Sequence, residues 1–198
     1  MRRGGEDVNN KNALLPLVVW LMALAFVAAS VFVYYPLSVA VSPVEPPIVF
    51  ELGSNANKDD LRGYTITVLL GPKNTSVAIT IHPTYSTTYY KNVTMINNTD
   101  TSAYYVYLRV VRAITDFPSG SAIQLRIYEK GADRATGSYA IVDLSLKETT
   151  QIGVLYGSGT WEVDVYVHIP EGSSLPSSAT AYLELIYTPS GEEPPWLP

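Results

Sequence analysis

The sequence predicts an all-β protein, a two-sheet, jelly-roll-like sandwich preceded by a separate N-terminal strand. Short segments in which apolar and polar residues alternate recur from residue 48 to residue 188, and a period of two is typical of a half-buried strand. Clusters of Gly, Pro, Asn and Ser separate these segments, as turns require. Tyr contributes 15 of the 198 residues, while charged residues make up only 16%. This composition favours pleated sheets over long helices.

Residues 1–30 have the features of an export signal. Two arginines at positions 2 and 3 precede an apolar run from about Leu14 to Val33, and small residues occupy positions 28–30. This order is typical of a secretory signal peptide, with cleavage expected after residue 29 or 30. The alternative is a membrane anchor over residues 14–35, which is long enough to cross a bilayer. Both interpretations place the rest of the chain outside the cell, and with a cleaved signal peptide it contacts the membrane only during export.

Residues 31–47 form a separate strand followed by a proline-rich connector. Apolar side chains occupy alternate positions at Val31, Val33, Tyr35, Leu37, Val39 and Val41. A strand with one such face is an aggregation hazard when its edges stay unpaired. It must therefore complete either the sheet of its own chain, which is the commoner case, or the sheet of a neighbouring chain. The residues alone leave both alternatives open.

The domain from residue 48 to residue 188 is predicted to contain about nine strands. Gly71–Asn74 is predicted to be a hairpin turn, and helix is confined to short pieces such as Thr149–Leu155. Residues 189–198 are predicted to be a flexible tail. The predicted strands cover residues 48–52, 65–70, 77–82, 87–95, 104–111, 123–128, 140–147, 161–169 and 181–187.

The sequence offers little for catalysis or cofactor binding. It has no cysteine, which excludes disulfides and thiolate sites. Its net charge is −5, and the sequence has no basic patch of the kind expected in a nucleic-acid-binding protein. His82 and His168 lie near strand ends without a closely spaced second ligand, and no nucleophile elbow or phosphate-binding loop occurs. We therefore expect no enzymatic activity, no metal and no cofactor, although the oxygens of Asp59 and Asp60 leave a calcium site open.

Two surface features point to sugars. Asn74, Asn92 and Asn97 each begin an N-glycosylation sequon, so we expect glycan on that part of an exported chain. Tyrosines that could stack on sugar rings support an alternative function, a monomeric carbohydrate- or surface-binding module. These are Tyr85, Tyr89, Tyr90, Tyr105 and Tyr107.

Several stretches together resemble a known class of fibre subunits. They are residues 34–41, residues 46–50, Gly53–Asn57, His82–Tyr85 and Tyr89–Val93. In these stretches the chain resembles subunits of archaeal bundling pili and related surface threads, which are similar to the TasA/camelysin class of biofilm-matrix proteins. The resemblance extends over most of residues 31–187. The HExxH motif of a metalloprotease is absent, which argues against the protease activity attributed to camelysin-type relatives.

This resemblance implies a jelly-roll subunit that is exported with a cleaved leader and polymerises head to tail. The strand from Val31 to Val41 would insert into the adjacent subunit, and its six alternating apolar side chains would be the donated face. The expected function is an extracellular, bundling filament for cell adhesion or biofilm, whose partners are further copies of this chain and neighbouring filaments.

Overall fold

The computed structural model describes Pro16, residues 18–22, residues 35–192 and residues 194–195. The chain divides into two units, Met1–Pro43 and Val44–Pro198. In the first unit, Pro16 and residues 18–22 are helical and residues 35–43 form no regular element. The described residues include no helix with the length and hydropathy needed to cross a membrane. Most of the predicted leader, together with Val31 and Val33, lies outside the described residues.

The regular secondary structure of the second unit is almost entirely antiparallel strand, which confirms the predicted all-β fold. A five-stranded sheet has the order β1-β4-β9-β6-β7, a three-stranded sheet has the order β10-β5-β8, and β2 and β3 form a hairpin. Short 3-10 turns occur at Leu61–Gly63 and Pro72–Asn74. The strands are β1 Ile48–Leu52, β2 Thr67–Leu70, β3 Val77–Thr80, β4 Ser86–Asn98, β5 Tyr104–Arg112, β6 Ala122–Glu129, β7 Tyr139–Asp143, β8 Thr149–Leu155, β9 Thr160–Ile169 and β10 Tyr182–Thr188.

One hydrophobic core joins both sheets and the hairpin, as in a β-sandwich. Strand β9 lies at the centre of the larger sheet, and its alternate residues from Trp161 to Ile169 are buried in the core. Val106 and Val110 of β5 reach the same core from the smaller sheet, and Val68 of β2 reaches it from the hairpin. Period-two patterning thus gives each sheet one apolar face, and the two faces cover each other. The connectivity of a jelly roll remains a prediction.

The structure corrects two predicted elements. Residues 149–155, suggested as a short helix, form strand β8, whose alternation is interrupted by a bulge where Gly153 adopts φ 147°. The strand predicted over residues 140–147 ends at Asp143. Its carboxylate accepts hydrogen bonds from the backbone N–H and the hydroxyl of Ser145, which turns the chain. The predicted hairpin turn at residues 71–74 is confirmed by the pairing of β2 with β3.

A bulge also bends β4 where it pairs with β9. The pairing register shifts between Tyr90 and Thr94, and Asn92 adopts a positive φ of 45°. Gly53 lies against this bulge and donates its backbone N–H to the carbonyl of Val93. A Cβ at position 53 would lie 2.1 Å from the carbonyl oxygen of Asn92. A residue without a side chain is therefore required at this close backbone approach.

Candidate functional sites: the N-terminal segment, two open edges and an outer sheet face

The described part of the predicted donor strand is exposed. Tyr35, Leu37, Val39 and Val41 have 73–88% of their surface accessible, and no strand is formed over residues 35–43. Four large apolar side chains in alternate positions are therefore presented to solvent on one short segment. Such a segment favours pairing with the edge of another sheet.

Six strands of the folded domain have an edge that lacks a partner among the described residues, and β3 and β10 are two of them. Strand β3 pairs with β2, and β10 pairs with β5. Both strands also carry an apolar row that touches the core without being fully covered. We call these two strand edges, with their apolar rows, the open edges. The rows are Val77 and Ile79 of β3 with the adjacent Ile81, and Leu183, Leu185 and Tyr187 of β10.

The other edge strands differ from these two. Strands β1, β2, β7 and β8 each place at least one side chain fully in the core, namely Ile48, Val68, Val142 and Leu155. Neither β3 nor β10 buries any residue to that extent. Incomplete burial of a whole apolar row is what the loss of a neighbouring strand would leave. The open edges are therefore the candidate acceptor site for an added strand.

An ionic cluster lies on the outer face of the five-stranded sheet. Asp164 of β9 is fully buried, and it accepts hydrogen bonds from the Arg134 guanidinium at 2.8 and 3.0 Å, the Tyr89 hydroxyl at 2.6 Å and the Asn92 backbone N–H at 2.7 Å. Arg134 also pairs with Glu162 at 2.6 Å. The hydrogen bonds to Asp164 and Glu162 hold the pKa of Arg134 above its ordinary value, although burial opposes them. The cluster fastens the loop between β6 and β7 to the sheet.

A second arginine on this outer face is surrounded by aromatic rings. The Arg126 guanidinium lies 4.0 Å from the ring centre of Tyr166, 5.4 Å from that of Tyr139 and 5.8 Å from that of Tyr89. We call these four residues the tyrosine–arginine face. Tyr89 and Tyr139 are 38% and 41% exposed, and Arg126 and Tyr166 are half-buried. Burial, and then the hydrogen bond to Asp164, raise the pKa of Tyr89, so its hydroxyl keeps its proton.

The five tyrosines predicted as stacking groups do not form one surface. Tyr85 and Tyr89 are exposed and Tyr105 is half-buried. The prediction is wrong for Tyr90 and Tyr107, which are each 5% exposed. Tyr90 points into the core because it lies on the opposite face of β4 from Tyr89. The hydroxyl of Tyr107 donates to the backbone carbonyl of Glu192, in the C-terminal segment.

Sequence reasoning missed Arg126, Tyr139 and Tyr166 as candidate site residues. Arg126 and Tyr166 occupy the polar positions of clearly alternating segments, which was the available signal. Their proximity depends on the pairing of β6 with both β9 and β7. Alternation within a strand does not specify that pairing.

The three sequons lie in different surroundings. Asn74 is exposed in the turn between β2 and β3. Asn92 is 8% exposed at the bulge of β4. The side-chain amide of Asn97 donates to Glu51 at 2.9 Å and its oxygen accepts from Thr160. In the folded domain, Asn74 is the most accessible of the three amides.

The two histidines have different neighbours and do not share a site. His82 is stacked on Tyr64, with ring centres 4.3 Å apart, and its Nδ1 lies 3.0 Å from Asp60. His168 lies beside the hydroxyl of Thr87. Asp60 also caps the 3-10 turn at Leu61. Within the described residues, no three His, Cys, Asp or Glu side chains are grouped as metal ligands would be.

The C-terminal segment contacts the three-stranded sheet where it is described. The Arg109 guanidinium donates to the carbonyl of Pro195 at 2.8 Å and to the hydroxyl of Thr149 at 3.1 Å. Gly191 lies against the ring of Tyr105. The described part of the tail predicted over residues 189–198 thus has specific contacts on strand β5.

No protein-family model matches the chain, and a search of curated proteins finds no significant match. The resemblance to pilus and matrix-fibre subunits therefore remains a prediction from the residues themselves.

Proposed function

We propose that this chain is the structural subunit of an extracellular filament for cell adhesion or biofilm, which polymerises by insertion of the strand from Val31 to Val41 into the adjacent subunit. The observation that carries the proposal is a match between two apolar surfaces. The segment from Tyr35 to Val41 presents alternate apolar side chains that are 73–88% exposed, and the open edges present half-buried apolar rows on strands that lack a second partner among the described residues.

Strand addition satisfies both surfaces at once. The donated backbone would hydrogen-bond to the free edge of β10 or of β3, and its apolar face would continue the apolar row of that strand, Leu183 to Tyr187 or Val77 to Ile81. Burying each large apolar side chain contributes about 1.5–3 kcal/mol before the cost of ordering the segment. Four such side chains contribute about 6–12 kcal/mol, which is comparable with the cost of ordering the segment, so the joint also depends on its new backbone hydrogen bonds and on the acceptor row that becomes buried. Because each subunit gives one strand and accepts another, the contact is head-to-tail and produces an open fibre.

The direct test is a pair of substitutions on the two faces of the donated strand. Val39→Asp places a carboxylate on the apolar face, and Ser38→Asp places the same group on the opposite face. We expect the full-length Val39→Asp protein to be exported and folded yet to form no filaments, because a charge cannot be buried unpaired in the acceptor site. The Ser38→Asp protein should polymerise. Electron microscopy of cell-surface fractions and sedimentation measure filament formation. Filaments of normal length from the Val39→Asp protein would contradict the proposal.

Mixing two defective subunits tests the acceptor site. Leu185→Asp impairs the open edge of β10 and leaves the donor segment intact, while Val39→Asp does the reverse. Each protein alone should remain monomeric. Mixed in equal amounts, they should form a 1:1 complex that cannot extend, since one donor and one acceptor remain functional. Mass photometry that detects no such complex would show that β10 does not receive the strand.

A further inference from the structure

We propose that the tyrosine–arginine face is a binding site for an acidic polysaccharide, in which tyrosine rings stack on sugar rings and Arg126 holds a sugar carboxylate. The site lies on the outer face of the five-stranded sheet, which is separate from the open edges of β3 and β10. It therefore does not depend on the mode of polymerisation.

The geometry of the four side chains supports recognition of a sugar. Tyr89 and Tyr166 lie directly opposite each other on neighbouring strands, and their ring centres are 6.5 Å apart. Tyr139 approaches the same guanidinium from β7. Partly exposed tyrosines offer apolar ring faces for the C–H groups of a sugar and hydroxyls for its polar groups. Since all three rings are held by strands of one sheet, the surface is formed before any ligand arrives.

The two arginines of this sheet face differ in how their charge is compensated. Arg134 has two carboxylate partners, Glu162 and Asp164. For Arg126, the described part of the chain supplies no ion pair; one Nη donates to Gln124 at 3.3 Å, and its Nε is buried without a hydrogen bond. The rings around Arg126 reduce its contact with water. Asp164 lies opposite Arg126 across β6 and β9, but its oxygens are engaged by Arg134 rather than by Arg126. A carboxylate is the complementary group, because a guanidinium binds it through two parallel hydrogen bonds.

The probe is a pair of polymers with the same sugar backbone, one charged and one neutral. Polygalacturonate carries a carboxylate on each sugar, and its fully methyl-esterified form presents the same rings without the charge. We expect the exported full-length protein to bind the acidic polymer about tenfold more tightly than the ester, which is the scale of one charge-assisted contact. Affinity electrophoresis and calorimetry measure both. Equal affinity for the two polymers, or binding to neither, would overturn the proposal.

Two variants assign the preference to Arg126. Arg126→Gln removes the charge and should abolish the tenfold difference. Ile141→Glu keeps Arg126 and places a carboxylate directly opposite it, because residues 126 and 141 are paired across β6 and β7. It should compete with the ligand and also abolish the difference, even where Arg126→Gln fails to fold. If folded Ile141→Glu protein still prefers the acidic polymer, Arg126 is not the carboxylate site.

The tyrosines are tested against a matched control. Tyr139→Ala should weaken binding of both polymers, because it removes a stacking surface common to them. Tyr156 is 69% exposed in the turn between β8 and β9, and Tyr156→Ala should leave both affinities unchanged. An equal loss of affinity in the two variants would mean that exposed tyrosines bind the polymers non-specifically, and the proposed site would be rejected.

Discussion

Strand β9 and the segment from Tyr35 to Val41 have the same alternating apolar pattern and opposite surroundings. The core-facing side chains of β9 are 1–7% exposed, whereas those of the N-terminal segment are 73–88% exposed. Strand β9 has hydrogen-bonded neighbours on both sides, β4 and β6. The difference shows that alternation gives a segment the capacity to form a strand, while burial depends on the partners available to it.

The largest expected effect comes from placing the same charge in each region. Val165→Asp buries a carboxylate in the core beside β4 and β6, and should cost about 4 kcal/mol or more in the free energy of unfolding. Val39→Asp should change the stability of the isolated subunit by at most about 0.5 kcal/mol. Urea unfolding of both proteins measures this contrast. Similar losses would mean that the N-terminal segment is already paired within its own chain.

The next effect concerns the polar face of β9. The buried charges on this face are stable only because they have charged partners, just as the apolar face depends on its apolar neighbours. Arg134→Met leaves Asp164 and Glu162 without their cation, and should destabilise the domain by about 3–5 kcal/mol. Adding Asp164→Asn to this variant should recover part of the loss, because the buried charge is removed. Urea unfolding of the single and double variants tests the coupling, and additive losses would contradict it.

A smaller effect is expected at the bulge of β4, where its pairing with β9 shifts register. Gly53→Ala brings a methyl group against the Asn92 carbonyl, and should cost about 1–3 kcal/mol because the backbone must shift. Gly131→Ala is a useful comparison, since no atom lies within 4 Å of a Cβ there and the strain comes from its positive φ of 80°. Thermal unfolding should therefore show a larger loss at position 53 than the strain of a positive φ alone produces at position 131.

The smallest effect lies at the start of β5, away from β9. The Tyr104 hydroxyl donates to Asp100 at 2.7 Å and lowers the pKa of that carboxyl below its ordinary value of 3.8. The resulting stabilisation is present above the unfolded-state pKa and is lost as the pH falls through the lower folded-state pKa. Tyr104→Phe should raise the pKa of Asp100 toward 3.8 and weaken this acid dependence slightly. Carboxyl NMR titration measures it; an unchanged pKa would assign the shift to the backbone N–H of Thr101 instead.

Much of the fold could be predicted because each strand carries its own pattern. The segment from Trp161 to Ile169 alternates without interruption, and it was assigned within one residue of β9. Strand β8 was missed because the bulge at Gly153 shifts its alternation by one residue. Tyr90 and Tyr107 were misassigned as exposed because the apolar and outward faces of a tyrosine-rich strand look alike in sequence.

By itself, the sequence determined the all-β class, the hairpin turn at residues 71–74 and the apolar face of the N-terminal segment, because these follow from local periodicity and turn chemistry. The tertiary structure alone decided the strand order, the incomplete burial on β3 and β10, and the meeting of Arg126 with three tyrosines from different strands. Those features depend on contacts between residues far apart in the chain. Side-chain alternation sets which face of a strand is apolar, but it carries no information about which strand lies beside it.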